Sequence, residues 1–205
     1  MHILNKDIEF VEEQRSCSYF EDKISDIRYK YMYSCSPNSY QAMLERGWRR
    51  FGRMHFVPEC NTCTKCVSMR IDVKNYKFSK SENRVINKNK DTKLYIRPPS
   101  MTMEHLDLYD KYHEFMNRKK NWPYSPIEPN EYSKSYVESK EEYAKEFLYM
   151  RDNKLIGVAL VDMLPNAVSS IYCYYDHDYA DLSLGKFSIL AQIKMTPEFI
   201  LKAIW

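Results

Sequence analysis

The chain has 205 residues, 44% of them hydrophobic and only four of them glycine, so it can bury a core and is not of low complexity. It has no run of about 18 apolar residues and carries an acid early, which predicts neither a membrane-spanning helix nor a signal peptide. Its six cysteines are expected to stay reduced in the cytoplasm, and therefore to be free or bound to metal.

The net charge of +3 conceals an uneven distribution. Residues 43–97 contain 14 Lys and Arg against 5 Asp and Glu, whereas the remainder contains 17 against 23. A basic segment beside an acidic remainder is typical of proteins that bind a phosphate backbone, although a solvated lysine-rich surface would give the same counts. Arginines alternate with aromatic residues here, which favours phosphate contact and base stacking. These residues are Arg46, Trp48, Arg49, Arg50, Phe51 and Arg53.

The first half of the chain is predicted to begin with a short unstructured leader that carries Cys17. A helix would be capped by Ser or Asn near residue 36 and ended by Gly47. In chain order, the predicted elements are a leader over 1–20, a strand over 27–33, a helix over 40–46, strands over 48–57 and 67–73, a helix or loop over 79–90, and a strand over 93–97.

The second half of the chain predicts an α+β fold, because three antiparallel strands are followed by an amphipathic helix that Ser183 would cap. We expect a basic, cysteine-bearing N-terminal domain over 1–100 and a second domain over 101–205. The predicted elements are helices over 103–120 and 131–139, strands over 146–151, 155–162 and 168–175 with a hairpin turn at 152–154, and a helix over 184–193.

Three cysteines at even spacing, Cys60, Cys63 and Cys66, predict a metal site, since thiolates a few residues apart can converge on one ion. A tetrahedral site needs a fourth ligand. Cys17, Cys35 and His55 are candidates, and we favour Cys17 because the leader is free to reach the triplet. The donor set suits zinc or an iron–sulfur cluster equally, and free cysteines in a loop are the alternative.

A second group of residues lies where the last predicted strand meets the following helix. The strand end delivers Asp176, and the loop leads to a helix start with Ser183 and Gly185. Free N–H groups at a helix start favour anions and developing oxyanions. Asp176 or Asp178 could accept a proton from an amine nucleophile. A capped loop with surface acids would give the same pattern.

Several blocks of sequence, taken in order, resemble the bacterial aspartate/glutamate leucyltransferases, which are relatives of the eukaryotic arginyl-tRNA–protein transferases. The resemblance runs from about residue 17 to about residue 194, and the ordered succession of blocks makes it specific. The blocks are residues 17–20, 47–53, 58–71, 78–81, 175–179 and 183–185.

The resemblance implies an α+β fold with a GNAT-like acyltransferase core preceded by a cysteine-bearing domain. It implies transfer of leucine from Leu-tRNA to an N-terminal Asp or Glu of another protein, which marks that protein for degradation by the N-degron pathway. We expect a cytoplasmic monomer that binds Leu-tRNA and protein substrates and no membrane. The chemistry is aminolysis of an ester, which needs positioning and oxyanion stabilisation and requires no metal or covalent intermediate.

The resemblance also implies roles for individual residues. A structural or regulatory zinc ion or iron–sulfur cluster would be held by Cys17, Cys60, Cys63 and Cys66. Catalysis would involve Asp176, Ser183 and Gly185. Contacts with tRNA or with the acidic N-terminal residue would come from Arg49, Arg50, Arg53, Arg70, Tyr175 and Lys186.

The chain departs from the family pattern after Ile193, where family members continue with a further strand and loop. Here Met195 passes directly to Thr196. We predict that further residues lie between these two positions, which would separate their Cα atoms by far more than the ~3.8 Å of a trans peptide. A normal peptide bond would instead mean that the chain is genuinely shorter at this point.

Two other functions fit parts of the sequence. The basic segment and the cysteines alone would suit a non-catalytic, zinc-dependent RNA-binding protein. An acetyl-CoA-dependent acetyltransferase could use the same sheet, but residues 181–185 do not form the glycine-rich turn that holds pyrophosphate in such enzymes.

Overall fold

The structure is a computed structural model that describes residues 7–139 and 141–196 and the backbone of residues 200–203. Within these residues the chain folds into two β-sheets with helices packed on them, which confirms the predicted α+β class. Among the described helices, none is both long and apolar enough to cross a membrane.

The strands and helices are numbered in chain order. The strands are β1 (Ile8–Ser16), β2 (Ile24–Tyr31), β3 (Arg49–Phe51), β4 (Met54–Pro58), β5 (Ile71–Asp72), β6 (Lys93–Arg97), β7 (Ala144–Arg151), β8 (Lys154–Leu164), β9 (Ala167–Tyr175) and β10 (Ile200–Ala203). The helices are α1 (Pro37–Glu45), α2 (Lys80–Lys88), α3 (Met103–Lys120), α4 (Pro129–Tyr132), which continues as a π-helical turn (Ser133–Val137), and α5 (Leu184–Met195).

The small sheet is antiparallel, with the strand order β1-β2-β4-β3. The prediction of an unstructured leader is wrong, because β1 pairs along β2 with Phe10 opposite Tyr29. The prediction of a single strand over 48–57 is also wrong, because two strands occupy this range. Gly52 has a left-handed φ of +54° and turns the chain back, so that β3 pairs with β4. A Cβ at Gly52 would lie 2.0 Å from the carbonyl oxygen of Lys134, so the turn has no space for a side chain.

The first helix forms where its end signals predict. Ser36 accepts a hydrogen bond from the Ser39 N–H (3.2 Å), and Gly47 follows the helix with a φ of +93°. The buried side chains Tyr40, Met43 and Leu44 pack against Tyr143 and the β8–β9 turn of the large sheet. Helix α1 therefore lies between the two sheets.

The large sheet has the strand order β5-β10-β9-β8-β7-β6. Its pairs are antiparallel except that β10 runs parallel to β9, to which α5 connects it. The β7–β8 turn contains Asp152 and Asn153, both with positive φ, as a tight hairpin requires. The strand predicted over 67–73 is reduced to β5. Strands β5 and β6, which precede residue 100, belong to this sheet.

Two apolar layers cover the large sheet. On one face α5 contributes Leu184, Ala191 and Ile193 to a cluster with Phe147 and Ile156. The other face is covered by α3 and α4 and is rich in tyrosine. Burial on both faces explains why β8 is a nearly continuous apolar run.

The chain is continuous from α5 into Thr196. The Thr196 N–H bonds to the Ile193 carbonyl (3.4 Å), and its hydroxyl donates to the Gln192 carbonyl (2.6 Å), so Thr196 closes the end of α5. That further residues lie between Met195 and Thr196 in the natural chain stays a prediction. Residues 197–199 lie outside the described part of the chain.

Candidate active site and nucleic-acid interface

The junction between β9 and α5 contains five of the predicted site residues. Strand β9 ends at Tyr175, a 3-10 turn (His177–Leu182) follows, and α5 begins at Leu184. A Cβ at Gly185 would lie 3.1 Å from a ring carbon of Tyr175, so a larger residue here would require the ring or the helix start to shift by a few tenths of an ångström. Ser183 and Lys186 flank Gly185. The predicted strand-to-helix site is therefore present in the fold.

Ser183 does not cap α5 in the way the sequence predicts. Its backbone has a left-handed φ of +52°, and among the described residues its side chain makes no capping hydrogen bond. A non-glycine residue in this conformation is strained, by an amount of order 1–3 kcal/mol. This left-handed conformation of Ser183 turns the chain sharply from the 3-10 turn into α5.

Asp176 is held by two lysines at the end of β9. Its carboxylate is buried and lies 2.6 Å from the Lys111 ammonium and 2.9 Å from that of Lys154, and it also accepts the Asp178 N–H (3.0 Å). Burial alone would raise the pKa of Asp176, but hydrogen bonds from Lys111 and Lys154 lower it overall. Such a carboxylate is a weak base, so these contacts favour a role in fixing the turn over the predicted proton transfer. Asp178 is exposed and also contacts Lys111.

The start of α5 forms one wall of a groove of about 460 Å³. In the part of the chain that the structure describes, Lys186 and Arg70 contribute positive charge to this wall, Glu82 contributes an acid, and Ile71 and Ile189 contribute apolar surface. The volume falls within the roughly 300–1,000 Å³ of small-molecule sites. The groove thus brings two predicted substrate-binding residues, which are 116 positions apart, onto one surface.

Arg50 lies between the sheets and not on the surface. It is 5% exposed, and its guanidinium forms a bidentate salt bridge with Asp162 of β8, in which Nε lies 2.8 Å from Oδ2. Burial raises the pKa of Asp162. Burial also acts to lower the pKa of Arg50, but the facing Asp162 carboxylate raises that pKa by a larger amount. The fork-to-fork geometry is that of two charged groups, so we take the pair as ionised. The predicted RNA contact of Arg50 does not fit this position.

The other predicted arginines are nearer the surface. Arg49 donates to the Trp48 carbonyl (2.8 Å) and to the Ser68 hydroxyl (2.6 Å), and burial lowers its pKa. Arg53 lies over the ring of Tyr33 at 5.8 Å. Arg70 is exposed and donates to the Glu45 carbonyl (3.3 Å).

An aromatic row crosses one face of the small sheet, which we call its outer face. Phe10, Tyr29, Phe56 and Arg49 are successive cross-strand partners on β1, β2, β4 and β3. The Phe10 and Tyr29 rings stack at 5.2 Å, and Tyr29 and Phe56 are 6.2 Å apart. Phe51 continues the row by stacking on Phe56 at 5.8 Å. Sequence reasoning found only Arg49 and Phe51, because the row depends on strand register.

Cys66 interacts electrostatically with the other three predicted cysteine ligands. The pKa of Cys66 is raised, first by burial and then by the neighbouring Cys60, Cys17 and Cys63. The choice of Cys17 as the fourth ligand stays a prediction. Within the described residues, however, no group of three or more His, Cys, Asp or Glu side chains is arranged to hold a metal. The donor set suits zinc or an iron–sulfur cluster by its chemistry, but the thiols do not form a closed shell.

The two alternative fourth ligands are buried elsewhere. Burial raises the pKa of Cys35 to about 11, and this thiol packs in the cluster that contains Tyr40. Burial, reinforced by Arg50, lowers the pKa of His55 to about 4. Neither side chain is available to the triplet.

The sequence matches the two halves of one protein family. Residues 15–84 match the family model described as arginine-tRNA-protein transferase, N terminus, and residues 104–204 match the model of its C terminus. The chain belongs to the arginine-tRNA-protein transferase family. The family resemblance predicted from the sequence blocks is thereby confirmed.

Curated relatives extend the match. An aspartate/glutamate leucyltransferase from Campylobacter jejuni is 44% identical over 199 residues, which are 97% of this chain and 83% of that protein. The protein of that name from Helicobacter hepaticus is 40% identical over 195 residues, which are 95% and 81% of the two chains. A solved domain of a putative lysylphosphatidylglycerol synthetase from Agrobacterium fabrum shares 9% identity and a TM-score of 0.44, covering 65% of this chain and 44% of that one.

Proposed function

We propose that this protein transfers leucine from Leu-tRNA to the N-terminal Asp or Glu of other proteins and so marks them for degradation by the N-degron pathway. The observation that carries the proposal is the 40–44% identity to aspartate/glutamate leucyltransferases over more than four-fifths of their length. The matches to both halves of the transferase family support it.

The larger sheet and α5 would form a GNAT-like acyltransferase core. Strand β9, helix α5 and the parallel strand β10 make a strand–helix–strand unit, and the helix start lies at the carboxyl end of β9. Ligands of such units bind at the carboxyl ends of strands and at helix N-termini. We place the aminoacyl ester at this junction, next to Tyr175 and Gly185.

The reaction would proceed by aminolysis. The unprotonated α-amine of the acceptor attacks the ester carbonyl, the new amide bond forms, and the 3′ oxygen of the tRNA leaves with a proton. N–H groups in the first turn of α5 are suited to stabilise the oxyanion. Gly185 lets this turn approach Tyr175, and Asp176 with Lys111 and Lys154 holds the strand end in place.

The outer face of the small sheet is our candidate surface for the single-stranded acceptor end of the tRNA. Phe10 is 45% exposed, so the β1 end of the aromatic row is open to bases, whereas the Phe51 ring at the other end also packs edge-on against Tyr136 and Tyr172. Stacking on aromatic rings is worth about 1–3 kcal/mol per base and is tolerant of sequence. Arg49 at the end of the row supplies positive charge for the backbone.

The cysteines would shape the N-terminal region of residues 1–100 and would take no part in bond making. If zinc or an iron–sulfur cluster binds, Cys17, Cys60, Cys63 and Cys66 would be its ligands. Such a centre would stiffen the connection between β1 and the residues before β5. We expect the protein to act as a monomer in the cytoplasm, where aminoacyl-tRNA is present.

Incubation with labelled Leu-tRNA and peptides that begin with Asp, Glu or Lys tests the function. We expect label on the Asp and Glu peptides and none on the Lys peptide. Binding of tRNA without any transfer would instead support the second candidate, a non-catalytic, zinc-dependent RNA-binding protein, whose RNA-binding role the aromatic row favours.

A further inference from the structure

The groove beside α5 combines charges of both signs in a way that matches one end of a peptide. Among the described residues, its wall contains two cations, Arg70 and Lys186, one acid, Glu82, and apolar surface from Ile71 and Ile189. An RNA phosphate could use only the cations, and an uncharged ligand would use neither sign, whereas a ligand with both an anionic and a cationic group could use all three charges. An N-terminal Asp or Glu presents a side-chain carboxylate and an α-amino group a few atoms apart. We propose that this groove holds the acceptor's first residue and that Arg70 and Lys186 recognise its carboxylate.

Glu82 keeps its negative charge because of how it is held. Its carboxylate accepts hydrogen bonds from the Ser79 N–H (2.8 Å), the Ser79 hydroxyl (2.9 Å) and the Tyr76 hydroxyl (2.8 Å). These bonds lower its pKa, so the groove has a fixed anion. The protonated α-amino group of an arriving acceptor is attracted to that anion, while its side-chain carboxylate is attracted to the cations. The ammonium gives its proton to solvent before it attacks as the neutral amine. The arrangement therefore orients the residue as well as binding it.

The two cations suit both acidic residues. The planar guanidinium of Arg70 can bind a carboxylate through two parallel bonds, and Lys186 carries a point charge on a flexible stem. That stem can follow the carboxylate over the one methylene that separates Asp from Glu. Ile71 and Ile189 offer apolar contact to the methylene groups in either case.

The position of Lys186 connects this groove to the reaction. It is the third residue of α5 and follows Gly185, which itself lines the groove. An acceptor bound here would place its amine near the first turn of α5, where the proposed function puts the ester carbonyl. This inference rests on the proposed function and names the residues that select its acceptor.

Arg70→Gln provides the test, with Arg84→Gln as its matched control. Both changes remove one exposed arginine, but Arg84 lies on α2 outside the groove wall. Transfer is measured at saturating Leu-tRNA with peptides that differ only in a first residue of Asp or Asn. Binding of the same peptides, labelled with a fluorophore, and of tRNA is measured by anisotropy on the full chain.

For Arg70→Gln we expect KM and Kd for the Asp peptide to rise about 10- to 100-fold, since a hydrogen bond to a charged group is lost. Affinity for the Asn peptide and for tRNA should stay unchanged, and Arg84→Gln should resemble the wild type. Lys186→Gln should raise the KM for the Asp peptide by a smaller factor. If Arg70→Gln folds poorly, this second variant tests the groove independently.

Three outcomes overturn the inference. In the first, wild-type protein transfers leucine and both groove variants keep the wild-type KM for the Asp peptide. In the second, the variants lose tRNA affinity while peptide affinity is unchanged, so that the groove holds an RNA phosphate. In the third, wild-type protein binds the Asp and Asn peptides equally. Failure of wild-type transfer alone refutes the proposed function, and the peptide binding measurement still decides the role of the groove.

Discussion

The two faces of the small sheet differ in what their arginines contact. Arg49 and Arg50 are neighbours in β3, yet they point to opposite faces because side chains alternate along a strand. Arg49 continues the aromatic row of the outer face. Arg50 points to the inner face, where it pairs with Asp162 and lies 5.6 Å from the ring of Tyr40 and 5.4 Å from that of Tyr143.

This difference shows that a run of basic residues is not one functional unit. A positive charge can bind RNA only where solvent reaches it, whereas a buried one needs a fixed partner within the protein. Arg50 joins β3 of the small sheet to β8 of the large sheet. Each of the following changes therefore has a predicted effect on either stability or tRNA binding, but not on both.

The largest effect is expected from Arg50→Ala. This change leaves the Asp162 charge buried without a partner, so the free energy of unfolding should fall by about 3–5 kcal/mol. Urea unfolding followed by circular dichroism measures the loss. Arg46→Ala, at the exposed end of α1, is the control and should change stability by less than about 1 kcal/mol. Equal losses in the two variants would refute the special role of the buried pair.

Phe10→Ala should have the next largest effect, and it should act on binding. Removing a stacking ring from the outer face should weaken tRNA binding by about 1–3 kcal/mol, as measured by fluorescence anisotropy. Val11→Ala is the matched control, because Val11 is 39% exposed and its side chain points to the opposite face of β1. If the two variants bind tRNA alike, the RNA surface lies elsewhere.

Asp176→Asn extends the comparison to a buried carboxylate of the large sheet. The loss should be about 1–2 kcal/mol at pH 7, less than for Arg50, because both lysine partners are largely exposed. The folded-state pKa of Asp176 is lowered, so its contribution is complete above the unfolded value of about 3.9 and is lost as pH falls through the folded value.

Urea unfolding of wild type and Asp176→Asn from pH 7 down to acidic pH follows this contribution. The difference between the two proteins should be constant near neutrality and should narrow below about pH 3.9. A difference that stays constant into acid would mean that the carboxylate charge does not stabilise the turn.

The smallest effect is expected from Arg49→Gln. It should weaken tRNA binding a few-fold and reduce the slope of log affinity against log salt concentration by about 1, since one phosphate contact is lost. Titrations at several salt concentrations measure both quantities. An unchanged slope would mean that Arg49 acts only through its bonds to Trp48 and Ser68.

Most elements of the fold could be predicted from local signals. The capping Ser36, the chain reversal at Gly47 and the Asp152–Asn153 turn each lie where the sequence indicates, because such signals act within a few residues. The predicted elements were wrong where a contact with a segment remote in the sequence decides the local structure. Residues 8–16 form β1 only because β2 pairs with them, and residues 48–57 divide at Gly52 because its close contact with Lys134 fits the turn.

The candidate site was predictable in part. The strand-to-helix junction at Tyr175–Gly185 lies where the sequence indicates. The two lysines that hold Asp176 could not be predicted, since Lys111 comes from α3 and Lys154 from the start of β8. Without them, Asp176 looks like a free base. With them, it is a paired carboxylate of lowered pKa.

The sequence by itself determined the family, the α+β class and the order of most elements, because these depend on short patterns along the chain. Only the tertiary structure decided which basic residues are available to a substrate. Arg50 meets a carboxylate 112 positions away, and Arg70 and Lys186 meet across one groove. Burial and charge pairing are set by neighbours in space, and those neighbours come from strands and helices that are remote in the sequence.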